Sequence, residues 1–264
     1  MIPKPIGWLI MLAWCALAGC AGQQQGREST LPQSAPTMGE ESSERMRARI
    51  HTELASGYFE IGNLPVALEE TREALRADAS YGPAYNIAGV VYGALNEDRL
   101  AEENFQRALK LNPNDSDANH NYGQFLCQRK REEEGIRYFL AAVRNPLYGT
   151  PERSYTNAGV CARRRGDPAG AENYFQLALK SRTAPPQALY NMADLAYSRG
   201  DFSGAKAYLS RLTQVAVPNA EVLWLGVRVE RQLGDRNSEA SYALQLRNKF
   251  PDSKEARALS AGEN

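Results

Sequence analysis

The stretch that decides the fold is Tyr85–Pro113, YNIAGVVYGALNEDRLAEENFQRALKLNP. Small Gly89, Ala101 and Ala108 alternate along it with Tyr85, Tyr92 and Phe105, and the run closes on Pro113. Small residues let two helices approach, aromatics fill the space between them, and a proline ends the second helix. The same arrangement recurs along the chain. Ala67, Ala101, Gly135, Ala171, Ala205 and Ala240 follow one another at steps of 34, 34, 36, 34 and 35 residues. A second small-residue series, Ala55, Gly89, Gly123, Gly159 and Ala193, runs upstream at steps of 34, 34, 36 and 34. Self-similarity at such a period predicts a stack of supersecondary units, each burying its apolar face on its neighbours.

The pattern resembles the tetratricopeptide repeat, a pair of antiparallel helices per unit. The resemblance implies an all-α superhelix of about six helix-turn-helix repeats, at 48–81, 82–115, 116–151, 152–185, 186–219 and 220–253. The fourth copy carries Tyr155, Gly159, Gly166, Ala171, Phe175 and Ala178. Gly166-Asp167 and Gly200-Asp201 suit the turn inside a repeat: the glycine takes positive φ and the aspartate caps the next helix. Some copies depart from the pattern. Repeat one opens with charged residues, as a terminal cap does. Repeat three has Gly135 in place of alanine and a longer tail, RNPLYGTPE. Repeat six sets Trp224 one residue late and has an extra residue in its turn, GDRNSEAS. Residues 254–264 are expected to be a frayed tail.

The chain starts MIPKPIGWLIMLAWCALAGC. Lys4 precedes an apolar run, Ile6 to Ala18, which is too short for a spanning helix of about 20 residues and suits a signal peptide. The closing Leu17-Ala18-Gly19-Cys20 resembles the bacterial lipobox. That resemblance implies cleavage of residues 1–19, with Cys15 among them, and lipid attachment at Cys20. Buried acyl chains contribute about 0.8 kcal/mol per CH2 to membrane anchoring. Ala21, where an aspartate would favour the inner membrane, implies the outer membrane. Residues 20–47 are rich in Gln, Ser, Gly and Pro and are expected to be a flexible tether.

The bulk composition is neutral, with 31 Lys plus Arg against 31 Asp plus Glu and no long basic run, so a nucleic-acid partner is not expected. The 2 histidines, His51 and His120, have no metal-ligand spacing and no acid–base partner. No catalytic residue, metal, cofactor or small-molecule substrate is expected. In tetratricopeptide arrays, set positions of each first helix line a concave face. Mapping that resemblance points to a protein-binding groove at Asn86, Val90, His120, Gln124, Thr156, Arg163, Arg164, Tyr190, Asp194 and Tyr197. The map is mixed in charge and holds too few lysines for a carboxylate-binding clamp. Solvated helix faces are the alternative. Cys127 and Cys161, 34 apart, fall late in neighbouring first helices. Such helices lie side by side, which predicts a disulfide in an oxidising compartment; two separate buried thiols are the alternative.

The lipobox, tether and repeats together resemble the PilF/PilW family of type IV pilus biogenesis and stability lipoproteins. The more specific carriers are DANHNYGQFLCQ (Asp117–Gln128), YTNAGVCARRRGD (Tyr155–Asp167) and ALQLRNKFPDS (Ala243–Ser253). The resemblance implies a pilotin: an outer-membrane lipoprotein that binds the pilus secretin and helps it reach its membrane and multimerise, in support of twitching motility. Another envelope scaffold, in barrel assembly or cell-wall synthesis, is the rival expectation.

Overall fold

The computed structural model describes residues 41–262, so the leader, Cys15, Cys20 and the tether up to residue 40 lie outside the described residues. The described residues form helices and no strand. Six antiparallel pairs follow in order: α1 (Ser43–Glu60) with α2 (Leu64–Ala77), α3 (Gly82–Ala94) with α4 (Asp98–Leu111), and α5 (Ser116–Gln128) with α6 (Glu132–Ala142). Then come α7 (Pro151–Arg164) with α8 (Pro168–Ala178), α9 (Pro186–Ser198) with α10 (Phe202–Val215), and α11 (Ala220–Leu233) with α12 (Arg236–Lys249). A last helix, α13 (Lys254–Ala261), packs on α11 and α12. Each first helix also lies beside the next first helix, so the array is an all-α solenoid.

The turns form as their residues dictate. Gly166 and Gly200 have φ of +82° and +80°, and Asp167 and Asp201 then accept from the amides of Gly170 and Gly204. Two turns lack glycine at this place: Asn96 and Lys130 take φ of 60° and 61°. Asparagine tolerates this region, whereas lysine pays for its Cβ with roughly 1–2 kcal/mol. We therefore expect Lys130→Gly to stabilise the protein by about 0.5–1 kcal/mol net, after allowing for the greater freedom of glycine in the unfolded chain. A urea midpoint equal to or below wild type would contradict this.

The small residues of the repeat act where helices touch. A Cβ on Gly159 would lie 2.5 Å from the Phe175 ring. The substitution of glycine for alanine at 135 has its own cause. A Cβ there would sit 2.7 Å from the Gly123 carbonyl oxygen, so α5 and α6 meet backbone to backbone. The core is a chain of clusters across repeat boundaries. Phe105, Tyr122, Phe125 and Leu126 form one, and Ile136, Phe139, Cys161, Phe175 and Met192 another. Leu189, Leu209, Leu212 and Leu225 continue it. Arg131 ties α4 to α6 by ion pairs to Glu102 (2.9 Å) and Glu134 (2.7 Å), and the Arg131 hydrogen bonds hold the Glu102 carboxyl below its ordinary range.

Two expected boundaries move. Helix α1 starts at Ser43, capped by the Ser42 hydroxyl accepting from the Arg45 amide, and Ala48 is fully buried. Helix therefore takes over the last residues assigned to the tether. The expected frayed tail is also corrected over residues 254–261. The Ser253 hydroxyl caps α13, and Ala256 and Leu259 pack against Leu223, Val227 and Leu246. The last repeat leaves an apolar stripe of α11 open, and a solenoid end must cover such a stripe.

Candidate interaction surfaces

The mapped groove residues divide into two groups. Asn86, His120 and Thr156 are buried, not exposed in a groove. Asn86 and His120 meet the neighbouring first helix, and Thr156 bonds within its own. The Asn121 amide donates to Asn86 Oδ1 at 3.1 Å, and His120 Nδ1 lies 2.8 Å from Ser154 Oγ, 34 residues on. The Thr156 hydroxyl bonds back to the Glu152 carbonyl at 2.7 Å. Asn86 and His120 are therefore corrected from lining residues to repeat-to-repeat contacts, and Thr156 to a buried residue bonded within α7. Val90 is half-buried beside the Phe105–Phe125 cluster. Burial lowers the His120 pKa to about 4, helped by Arg153, and its Nε2 is buried without a partner.

The remaining mapped residues do reach the surface. Gln124 and Arg164 line a cavity of about 190 Å³ between α5 and α7, with Cys127 in its wall. There Cys127 and Cys161 are joined, with sulfurs 2.09 Å and Cα atoms 5.9 Å apart. Arg163 pairs with Asp194 at 2.7 Å and donates to Asn191 at 2.8 Å. Tyr190 lines a second cavity of about 360 Å³ with Trp224, Arg228 and residues of α13. Tyr197 lies under the Arg228 guanidinium, whose carbon is 4.8 Å from the ring centroid.

A third surface, on α1, was not singled out in the sequence. Met46, Ile50 and Leu54 are each 44% exposed and Ile61 is 76% exposed. Their spacing places them along one outer face of the helix. Ile50, Leu54, Tyr58 and Ile61 border a notch of about 390 Å³. A Cβ at Gly57, also on its border, would meet nothing within 4 Å, so packing does not require this glycine. The signal was legible: apolar residues at 46, 50, 54 and 61 are more than the inner face of a two-helix unit needs, since Ala48, Thr52 and Ala55 already fill that face. Arg228 and Lys254 were also missed. The missing signal there was Ser253 followed by Ala256 and Leu259, a cap and an apolar pair at helical spacing.

Among the described residues no helix is long and apolar enough to cross a membrane, and no cluster of three or more His, Cys, Asp or Glu is placed to hold a metal. Helix pairs stacked this way define the class: a tetratricopeptide-repeat scaffold, whose stacked surfaces are binding surfaces. Residues 82–115, 104–137 and 162–224 each match the tetratricopeptide repeat. The chain is 33% identical over 211 residues to the type IV pilus assembly protein PilF of Pseudomonas aeruginosa, spanning 80% of this chain and 84% of that protein. A solved structure from a functional characterisation of Pseudomonas aeruginosa PilF superposes with a TM-score of 0.77 at 31% identity, over 84% of this chain and 100% of that one. The crystal structure of PilW, described as a widely conserved type IV pilus biogenesis factor, superposes at 0.71 with 30% identity, over 80% and 97%. The protein belongs to the PilF/PilW family of tetratricopeptide-repeat proteins.

Proposed function

We propose that the protein is a pilotin, an outer-membrane lipoprotein that binds the type IV pilus secretin and promotes its localisation and multimerisation. The observation that carries this reading is the exposed apolar face of α1, Met46, Ile50, Leu54 and Ile61 around an open notch. Contiguous exposed apolar surface marks a place where a protein binds, and the relatives are named for pilus assembly and biogenesis. The mechanism is physical. Lipid on Cys20 holds the repeats at the membrane through the residues that follow it. The α1 face takes an apolar segment of a secretin subunit, and anchoring raises the local concentration of subunits at the membrane where the pore assembles. The Cys127–Cys161 bond belongs to this reading, because the envelope is an oxidising compartment.

The test is the level of detergent-resistant secretin multimers in cells carrying Ile50→Glu with Leu54→Glu. Both side chains are exposed, so the protein is expected to stay folded and abundant while multimers fall about tenfold or more. Wild-type multimer levels with abundant variant protein would remove α1 from the mechanism, and capture of barrel-assembly or cell-wall proteins in place of secretin would overturn the pilotin reading. A second arm is Cys20→Ser. The repeat domain is expected to keep its melting temperature while leaving the outer-membrane fraction. Full secretin assembly with a soluble variant would exclude anchoring as part of the mechanism.

A further inference from the structure

The loops that join one repeat to the next share one edge of the solenoid, because each second helix ends where a first helix begins. The Ser116 hydroxyl at the start of α5 donates to the Ala142 carbonyl at the end of α6 at 3.0 Å. Arg45, in the first turn of α1, pairs with Asp78 at the end of α2 at 2.9 Å, so the chain enters the repeats at this same edge. Lys110, Arg144 and Lys180 stand at the ends of α4, α6 and α8, at steps of 34 and 36 residues, with Arg182 two residues further on. All four are exposed, and none has an ion pair among the described residues. On the opposite edge Arg129 is held by Asp98 at 2.7 Å, Arg131 by Glu102 at 2.9 Å and Arg165 by Asp167 at 2.9 Å. Residues 107–117, 144–153 and 180–187 of the loop edge hold six cations against three carboxylates. One of the three, Asp115, is engaged in capping α5. The helix dipole favours a cation at a helix C-terminus, but it gives no reason for the apolar loop tips that accompany these. Leu147, between α6 and α7, is 89% exposed, and Val217, between α10 and α11, is 85% exposed, the highest values for large apolar side chains among the described residues.

We propose that this loop edge docks on an anionic phospholipid surface, with Lys110, Arg144, Lys180 and Arg182 on the lipid phosphates and Leu147 and Val217 between headgroups and acyl chains. Cations close to a negatively charged bilayer are each drawn to it, over a range of about 8 Å at physiological ionic strength. An apolar side chain on a loop tip leaves water at the headgroup boundary without any spanning helix. A nucleic acid would match the cations but leave Leu147 and Val217 in water. An apolar protein groove would take those two side chains but leave the cations unmatched. A bilayer of anionic lipid satisfies both sets. The chain enters the repeats at this edge, so an anchor upstream of Glu41 is joined to this edge and not to the opposite one. Docking here leaves Ile50, Leu54 and Ile61, which lead away from the edge along α1, open to a partner. The proposal rests on the membrane placement in the pilotin reading, but not on secretin binding.

The test is co-sedimentation with vesicles, using the chain from residue 20 onward with Cys20→Ser, which contains every described residue and no lipid. Vesicles of phosphatidylglycerol and phosphatidylcholine in equal parts are expected to bind it about tenfold or more tightly than phosphatidylcholine alone, with the difference shrinking as salt is added. Arg144→Gln with Lys180→Gln is expected to weaken anionic-vesicle binding about fivefold or more, and Leu147→Ser about threefold. All three side chains are exposed, so these variants keep the fold. Arg99→Gln with Arg236→Gln removes the same charge from the opposite edge, also at exposed positions, and is expected to change binding less than twofold. Leu147→Trp is expected to shift its emission to the blue on anionic vesicles and to be quenched by brominated acyl chains. Equal binding to the two vesicle types, an equal loss from the opposite-edge pair, or an unshifted Leu147→Trp emission would each overturn the proposal. Such a result with normal secretin multimers in cells would remove this surface and leave the pilotin reading in place.

Discussion

Replacing Phe175 by alanine is expected to lower the stability of the protein by about 3–5 kcal/mol, the range for a buried aromatic cut back to a methyl group. Phe175 is fully buried on α8, and its ring lies flush on the bare Gly159 face of α7. The same cluster holds Phe139 of α6 and Met192 of α9, so the ring joins three consecutive repeats. Refilling the cavity would require α7 and α8 to move together, and their contacts with α6 and α9 resist that. In a solenoid the loss is felt at nearest-neighbour interfaces. Hydrogen exchange should therefore speed up first in α7 and α8, and the urea midpoint should drop with it. A companion change, Gly159→Ala, presses a Cβ into the same ring and is expected to cost about 1–3 kcal/mol by overpacking. A loss below about 1 kcal/mol for Phe175→Ala would mean that the ring does not carry the junction between repeats.

Acidification is expected to destabilise the protein through His120. Its ring is 2% exposed, bonded through Nδ1 to Ser154, with its edge on Phe139 and no partner at Nε2. Burial, with Arg153 nearby, depresses its pKa from 6.5 in the unfolded chain to about 4 in the fold. Between those values the unfolded chain binds a proton that the folded chain refuses. The contribution is complete above pH 6.5 and is lost as the pH falls through this window, to a total of about 3 kcal/mol. Unfolding free energy measured at pH 7.5, 6, 5 and 4.5 should fall with a steeper slope in wild type than in His120→Gln. The glutamine variant retains a group able to bond Ser154 and removes the titration. Identical slopes in the two proteins would show that His120 is not the group that couples folding to pH.

Repeat number and helix order were legible because the period of small residues and aromatics reports directly on helix contacts. Gly159 against Phe175 is that contact, read from the sequence and met in the structure. The groove map was less successful at Asn86, His120 and Thr156. Repeat position says which side of a helix a residue occupies, but not whether the adjacent first helix covers it. Asn121 meets Asn86 and Ser154 meets His120, and both partners belong to the next repeat. The surroundings of Arg228 were missed for a related reason. Arg228 reads as one more polar residue on α11 until Tyr197 of α9, Trp224 and Lys254 of α13 are placed around it.

By itself the amino-acid sequence determined the all-α repeat class, the turns at Gly166-Asp167 and Gly200-Asp201, and the pairing of small and aromatic residues. These depend on contacts between residues close in the chain. Only the tertiary structure decided which polar residues are buried between repeats, that residues 254–261 cap the array, and which apolar side chains of α1 remain open. Those outcomes depend on how much surface one repeat hides on the next. At each end of a solenoid there is no next repeat, so exposure there follows from the packed whole and not from the period.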